Sequence, residues 1–178
     1  MPRPSREQVL AEIRGTALRL FVDQGFAATT LAQIGAEVGY SKSAMLYHFG
    51  SKDALLVAAL DEPLRRLSEF LTATAGRPAL ERLEAFVDLV LAHRHEALLL
   101  VSQGPLLKQL GTLGTSPDDL LASYLGDDPS LARQVSVLMT FTGLAETAAA
   151  LAEVPAAELR TPLLAVAART LDLVTTLR

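Results

Sequence analysis

The stretch Thr29 to Lys52, TTLAQIGAEVGYSKSAMLYHFGSK, decides the reading of this chain. Thr30 suits the N-cap of a helix, because its hydroxyl can accept one of the amide hydrogens that a first turn leaves unpaired. Leu31, Ile34 and Val38 recur at helical spacing and give that helix one apolar face. Gly39 ends it, since glycine tolerates the left-handed backbone of a C-terminal cap. Ser41 then caps a second helix, Lys42 to Phe49, with Met45 and Phe49 on its inward side. Two short helices joined by a tight, Gly-containing turn form a helix-turn-helix, whose second helix can lie in the major groove of DNA.

The chemistry lies on the outward side of that second helix. Lys42, Ser43, Ala44, Tyr47 and His48 supply donors and acceptors for base edges and phosphates, and a methyl group that can touch thymine. Eight residues of helix rise roughly 12 Å, about the width of the groove. Gly50 breaks the helix and Ser51 caps the next. Lys52 sits in that third helix's first turn, where free amides and an ammonium together favour a phosphate.

The run GFAATTLAQIGAEVGYSKSAMLYHFGSKDALL resembles the N-terminal domain of TetR-type transcriptional regulators. The likeness lies in Gly-Phe before paired threonines, Tyr-His-Phe closing the second helix, and Ser-Lys-Asp opening the next. It covers about the first 60 residues. The resemblance implies a homodimer that binds a double-stranded operator, most often a repressor released when a small molecule enters the C-terminal domain. Carried over by position, Thr30, Ser41, Lys42, Ser43, Ala44, Tyr47, His48 and Lys52 match the family's DNA-contacting places. There are two departures. Leu46 stands where an aromatic phosphate contact, usually tyrosine, is common, which shifts that contact toward Tyr47. Gly35 replaces a small alanine, which lowers helix propensity by about 1 kcal/mol but allows closer packing of the next helix.

Composition sets the frame. The chain has 178 residues, enough to bury a sizeable core in one or two domains. Half of them are hydrophobic but only 5% are aromatic, and Ala and Leu dominate, which favours helices. No apolar run nears the roughly 18 residues of a membrane span, and MPRPSREQ is followed by no apolar segment of a secretory signal. With no Cys there is no disulfide and no thiolate zinc site. A cytoplasmic protein without membrane association is the expectation.

The net charge of −4 looks unfavourable for a partner of a polyanion. Its distribution reverses the inference: residues 1 to 60 hold six Lys or Arg and five Asp or Glu, net +1, while residues 61 to 178 hold ten and fifteen, net −5. Within Thr29 to Lys52 only Glu37 is acidic.

Working outward, Ser5 caps an opening helix to Gln24 with Glu7 in its first turn and Val9, Ile13, Ala17, Leu20 and Phe21 along one stripe. Phe26 anchors the following loop into the small core formed with Leu31, Ile34, Val38, Tyr40, Met45 and Phe49. Downstream, a helical segment from Lys52 to Gly76 is kinked or broken at Pro63. Arg77 to Val101 is helical with a break near His93. Gly104 to Asp119 reads as short turns and loops, followed by a short helix from Asp118 to Leu125. Asp128-Pro129 and Thr161-Pro162 read as paired cap and first-turn residues. They open helices to about Leu151 and Leu177.

On the first of these, Leu131, Val135, Leu138, Thr142, Ala145 and Ala149 share a face; on the last, Leu163, Val166, Thr170, Leu173 and Leu177 do so. Apolar residues on further faces imply burial on two sides, one against the subunit core and one against a second copy, with Gly143 and Ala148 to Ala150 permitting close approach. Two-fold symmetry would then set two reading helices about one DNA turn apart, roughly 34 Å.

The expected architecture is all-α: a helix-turn-helix DNA-binding domain of three helices at 1–50 and a helical effector-binding and dimerisation domain at 51–178. An apolar effector would enter among Leu67, Phe70, Leu71, Phe86, Val90, Leu98 and Met139. The alternative is a helical DNA-binding dimer without an effector. Catalytic residues, a metal and a cofactor are not expected. There is no Gly-rich phosphate loop or nucleophile motif, and His93 and His95 point to different sides of a helix with no third ligand at a metal-site spacing.

Overall fold

A computed structural model describes residues 5–110, 117–125 and 130–173, the side chains of 117–119 apart. All its regular elements are helices: α1 (Arg6–Gln24), α2 (Leu31–Glu37), α3 (Lys42–Phe49), α4 (Lys52–Thr74), α5 (Ala79–Ala92), α6 (Arg94–Ser102), α7 (Gly104–Gln109), α8 (Pro117–Leu125), α9 (Leu131–Ala150) and α10 (Ala156–Thr170). Two compact units divide at Pro63 and Leu64. The sequence boundary at 50/51 falls earlier, because the first half of α4, with Leu55, Leu56, Ala59 and Leu60 all buried, groups with α1–α3.

In the first unit each helix starts where its cap residue dictates. The Ser5 hydroxyl accepts from the Gln8 amide and the Gln8 side chain accepts from the Ser5 amide, a reciprocal capping box. Thr30 and Gln33 repeat the device on α2. Ser41 caps α3 through the Ala44 amide, and Ser51 caps α4 through the Ala54 amide. Ile13, Ala17, Leu20 and Phe21 of α1, Leu31 and Ile34 of α2 and Met45 of α3 are buried. Val38, Tyr40 and Phe49, expected in that core, are half-buried at its edge.

The second unit is built on α9, which packs against α5, α6, α8 and α10. Four rings run through its core: Phe70 lies 5.6 Å from Phe86, Phe86 4.9 Å from Phe141, and Phe141 4.8 Å from Tyr124, in tilted and edge-on contacts. Two guanidinium groups tie helix ends together. Arg94 donates to the carbonyls of Leu151, Ala152 and Val154 at 2.8–2.9 Å, just past the end of α9. Arg133 donates to the Tyr124 carbonyl near the end of α8 and to the Leu171 carbonyl after α10. Cations at helix C-termini meet carbonyls that no amide satisfies.

Of the two forms expected at Pro63, a kink or a break, the break is corrected: α4 is one helix with Pro63 inside it. The helix expected to open at Thr161-Pro162 begins at Ala156 after Pro155, with Pro162 inside it. A Thr-Pro pair carries the same local signal at a first turn and in an interior where surrounding alanines and leucines sustain the helix. On α9, Leu131, Val135, Leu138 and Thr142 face outward, whereas Val137, Phe141, Leu144 and Ala148 are inward with Ala145. Apolar groups on several faces leave the inward one undecided by period alone. Asp128, Pro129 and Leu177 lie outside the described residues.

Candidate nucleic-acid interface

The turn between α2 and α3 is held by backbone geometry. Gly39 adopts φ 76°, and the Tyr40 amide donates to the Gly35 carbonyl at 2.7 Å. The chain passes so close to α2 that a methyl on Gly35 would lie 2.5 Å from the Tyr40 carbonyl oxygen and 3.1 Å from Met45 Cγ. Glycine at this position fixes how closely α3 lies on α2.

Turned outward on α3 are Lys42, Ser43, Leu46 and Tyr47, while Met45 is fully buried. Tyr47 is 82% exposed, so its phenol is held out into solvent. The Ser43 hydroxyl lies 2.8 Å from that of Ser41, which in turn caps the helix, so the serine presented outward is oriented by the one that starts the element. Ala44 and His48 are half-buried on the flank, and His48 Nδ1 is buried with no hydrogen-bond partner among the described residues. Thr30 is exposed at the start of α2, its hydroxyl engaged with Gln33. The acidic Glu37 of α2 is paired with Arg19 of α1, which offsets its charge near this surface.

Lys52 occupies a different place from the one its sequence position suggests. Its ammonium donates to the carbonyls of Phe26 at 2.8 Å, Thr29 at 3.1 Å and Ala27 at 3.4 Å, and lies 4.3 Å from the centre of the Phe26 ring. All three protons are directed at the α1–α2 turn. Thr29 pins the same turn from the other side: its hydroxyl is shared between the Gly25 and Leu20 carbonyls at 2.9 and 3.1 Å. The anion-attracting element left at this end of α4 is the row of first-turn amides.

Sequence reasoning passes over Leu46 as a contact. It is exposed beside Tyr47, and the helical wheel carries the signal: Lys42 and Ser43 lie one turn before Leu46 on the same side.

The seven candidate effector contacts do not line one space. Leu67, Phe86 and Val90 are core residues, with Phe70 and Leu71 packed against them. Leu98 is half-buried outside that cluster, and Met139 is 66% exposed on the opposite side of α9 from Phe141. Met139 instead borders an open groove of about 210 Å³ between α9 and α10, with Gly143, Leu163 and Val166. Within the core, the Tyr124 hydroxyl is buried with no hydrogen-bond partner among the described residues. Burial pushes its pKa up to about 12, against the pull of the Arg82 guanidinium 4.4 Å from the ring centre.

Among the described residues no His, Asp and Glu cluster could hold a metal ion, and no helix is long and apolar enough to cross a membrane. An all-helical protein with a helix-turn-helix in its first unit is the class that this geometry defines.

Residues 13–59 match the family of bacterial regulatory proteins, tetR family. The chain is 40% identical over 73 residues to the HTH-type transcriptional regulator YerO of Bacillus subtilis (strain 168), covering 39% of this chain and 25% of that one. It is 36% identical over 77 residues to the HTH-type transcriptional repressor Rv3405c of Mycobacterium tuberculosis (strain ATCC 25618 / H37Rv), covering 43% and 41%. The matches therefore span a quarter to two-fifths of these relatives. A TetR-like transcriptional regulator from Rhodococcus sp. RHA1 superposes over 96% of this chain and 99% of that one, with TM-score 0.69 and 26% identity. A second Rhodococcus structure, at 17% identity and TM-score 0.57, shares the fold. Residues 13–59 are thus similar to the tetR family of bacterial regulatory proteins, and the chain shares its fold with a TetR-like regulator.

Proposed function

We propose that this chain is a cytoplasmic, homodimeric transcriptional regulator that binds a double-stranded DNA operator through the outward face of α3. The observation that carries the reading is the capped, outward row Lys42, Ser43 and Tyr47 on a helix anchored on its other side by the fully buried Met45. Such a row can meet base edges and phosphates while that anchor fixes its register. Thr30 and the first-turn amides of α2 and α4 supply phosphate contacts around it. Repression is the sign favoured, because the relative Rv3405c carries that description.

Dimerisation falls to the outer sides of α9 and α10. Leu138, Met139 and Val166 are 50%, 66% and 55% exposed there, beside Gly143, whose missing side chain faces open space. An apolar patch of this kind on two adjacent helices suits a four-helix contact with an identical copy.

Response to a small molecule is supported by the Tyr124 hydroxyl. A buried donor without a partner carries a desolvation penalty of about 1–3 kcal/mol, which a ligand's acceptor would remove. A ligand offering one such acceptor would act only through its differential affinity for two arrangements of the dimer. The reading without an effector is favoured by a different observation: the expected lining residues Phe70 and Phe86 are engaged in ring contacts with the core.

Selection from a random-sequence duplex library tests the central reading. Enrichment of a two-fold symmetric site with half-site centres about one helical turn apart supports it. Recovery of the input distribution at every round would sink it.

A further inference from the structure

We propose that Leu46 is a specificity-determining residue that reads the 5-methyl group of thymine in the operator, an inference that rests on the DNA-binding reading above. Among the described residues of the first unit, the exposed large apolar side chains are Leu46, at 41%, and Tyr47, at 82%. They are adjacent on the one helix whose outer side otherwise carries Lys42 and Ser43. Among the unit's described residues every other large apolar side chain is buried or half-buried, and the two exposed ones lie on its candidate reading surface.

Leucine has no donor or acceptor. At a phosphate, or at the edge of guanine, adenine or cytosine, it would remove water from polar groups and return nothing. The major groove offers one apolar group, the C5-methyl of thymine. Helical side chains lean toward the N-terminus, which carries Leu46 over the turn holding Lys42 and Ser43 and toward the end of a recognition helix that approaches bases. Ala44, the methyl contact expected from its position on this helix, is half-buried and shorter. Tyr47 brings an apolar ring but ends in a hydroxyl that can use a phosphate or a base acceptor. Leu46 is the side chain on this face for which only thymine is a good partner.

The test uses the full-length protein and a duplex enriched from a random library. Each thymine is replaced in turn by deoxyuridine, which removes only the methyl group. Removing one buried methyl weakens binding about fourfold, so wild type loses that factor at one thymine of each half-site. Leu46→Ala is expected to bind the thymine and deoxyuridine duplexes within twofold of each other, while Leu46→Met, which keeps an apolar reach, retains the penalty. Thermal melting of both variants checks that the first unit stays folded; if Leu46→Ala does not fold, loss of the penalty in Leu46→Ser supports the proposal equally. An undiminished penalty in the truncated variants, or wild type indifferent to deoxyuridine at every thymine, would overturn the proposal with DNA reading intact. Failure to enrich any duplex would overturn both.

Discussion

The Lys52 ammonium donates to the Phe26 carbonyl at 2.8 Å and lies 4.3 Å from the centre of the same residue's ring. One side chain at the start of α4 thereby holds the turn that leads into α2. With its protons directed inward, Lys52 would contribute to the proposed DNA binding by positioning Thr30 and the first turn of α2. Lys52→Met is expected to weaken binding of an enriched duplex while leaving the slope of log K against log salt unchanged. Loss of a direct phosphate contact would instead lower that slope by about one. Fluorescence anisotropy between 50 and 200 mM salt, about a fourfold range, separates the two.

Gly35→Ala sets two effects against each other. Alanine raises helix propensity by about 1 kcal/mol. A methyl 2.5 Å from a backbone oxygen, however, forces α3 away from α2, and overpacking of this kind costs about 1–3 kcal/mol. The steric effect wins because the obstructing atom belongs to the backbone, and the net expectation is a loss of roughly 1 kcal/mol in urea unfolding. An equally stable variant would mean that the turn can relax.

What is legible in the sequence is local. Ser5, Thr30, Ser41 and Ser51 announce helix starts within three residues of the amides they cap, so all four are readable. The Lys52 clamp joins residues 23 to 26 positions apart, and no spacing rule points to it. The same limit applies to α9 and α10, where apolar groups on several faces conceal which one Phe141 and Leu144 turn inward. Pro162 misplaces a helix start because a proline looks the same at a first turn as in an interior that tolerates it.

Tyr124→Phe should stabilise the chain at neutral pH by about 1 kcal/mol, since it deletes a buried hydroxyl that lacks a partner among the described residues. The wild type carries a pH signature as well. Burial pushes the phenol's pKa up to about 12, while the unfolded chain releases that proton near its ordinary value of 10. Stability from this group is therefore complete below pH 10 and is lost as pH rises toward 12, by on the order of 2 kcal/mol. Urea midpoints compared between wild type and Tyr124→Phe from pH 8 to 11.5 should diverge only above about 10. Parallel curves would place the hydroxyl in water.

Val166→Glu addresses the proposed pairing of α9 and α10. Val166 is 55% exposed in the single chain and borders the groove lined by Met139 and Gly143. A carboxylate buried there in both copies would be unpaired, and a penalty of about 3–5 kcal/mol corresponds to a dissociation constant raised at least a hundredfold. Sedimentation at micromolar concentration should find a dimer for wild type and a monomer for the variant. A monomeric wild type would remove the symmetric arrangement of reading helices.

The most direct measurement compares equilibrium binding of wild type and the double variant Ser43→Ala, Tyr47→Ala to an enriched duplex and to its shuffled counterpart, at one salt concentration. Both residues are exposed on α3, so the fold should survive their truncation. Wild type is expected to prefer the enriched duplex by about 1,000-fold or more, and the variant to lose most of that preference, its binding to shuffled DNA falling only by what the Tyr47 hydroxyl contributes at a phosphate. A variant that keeps the full preference would show that α3 is not the reading helix.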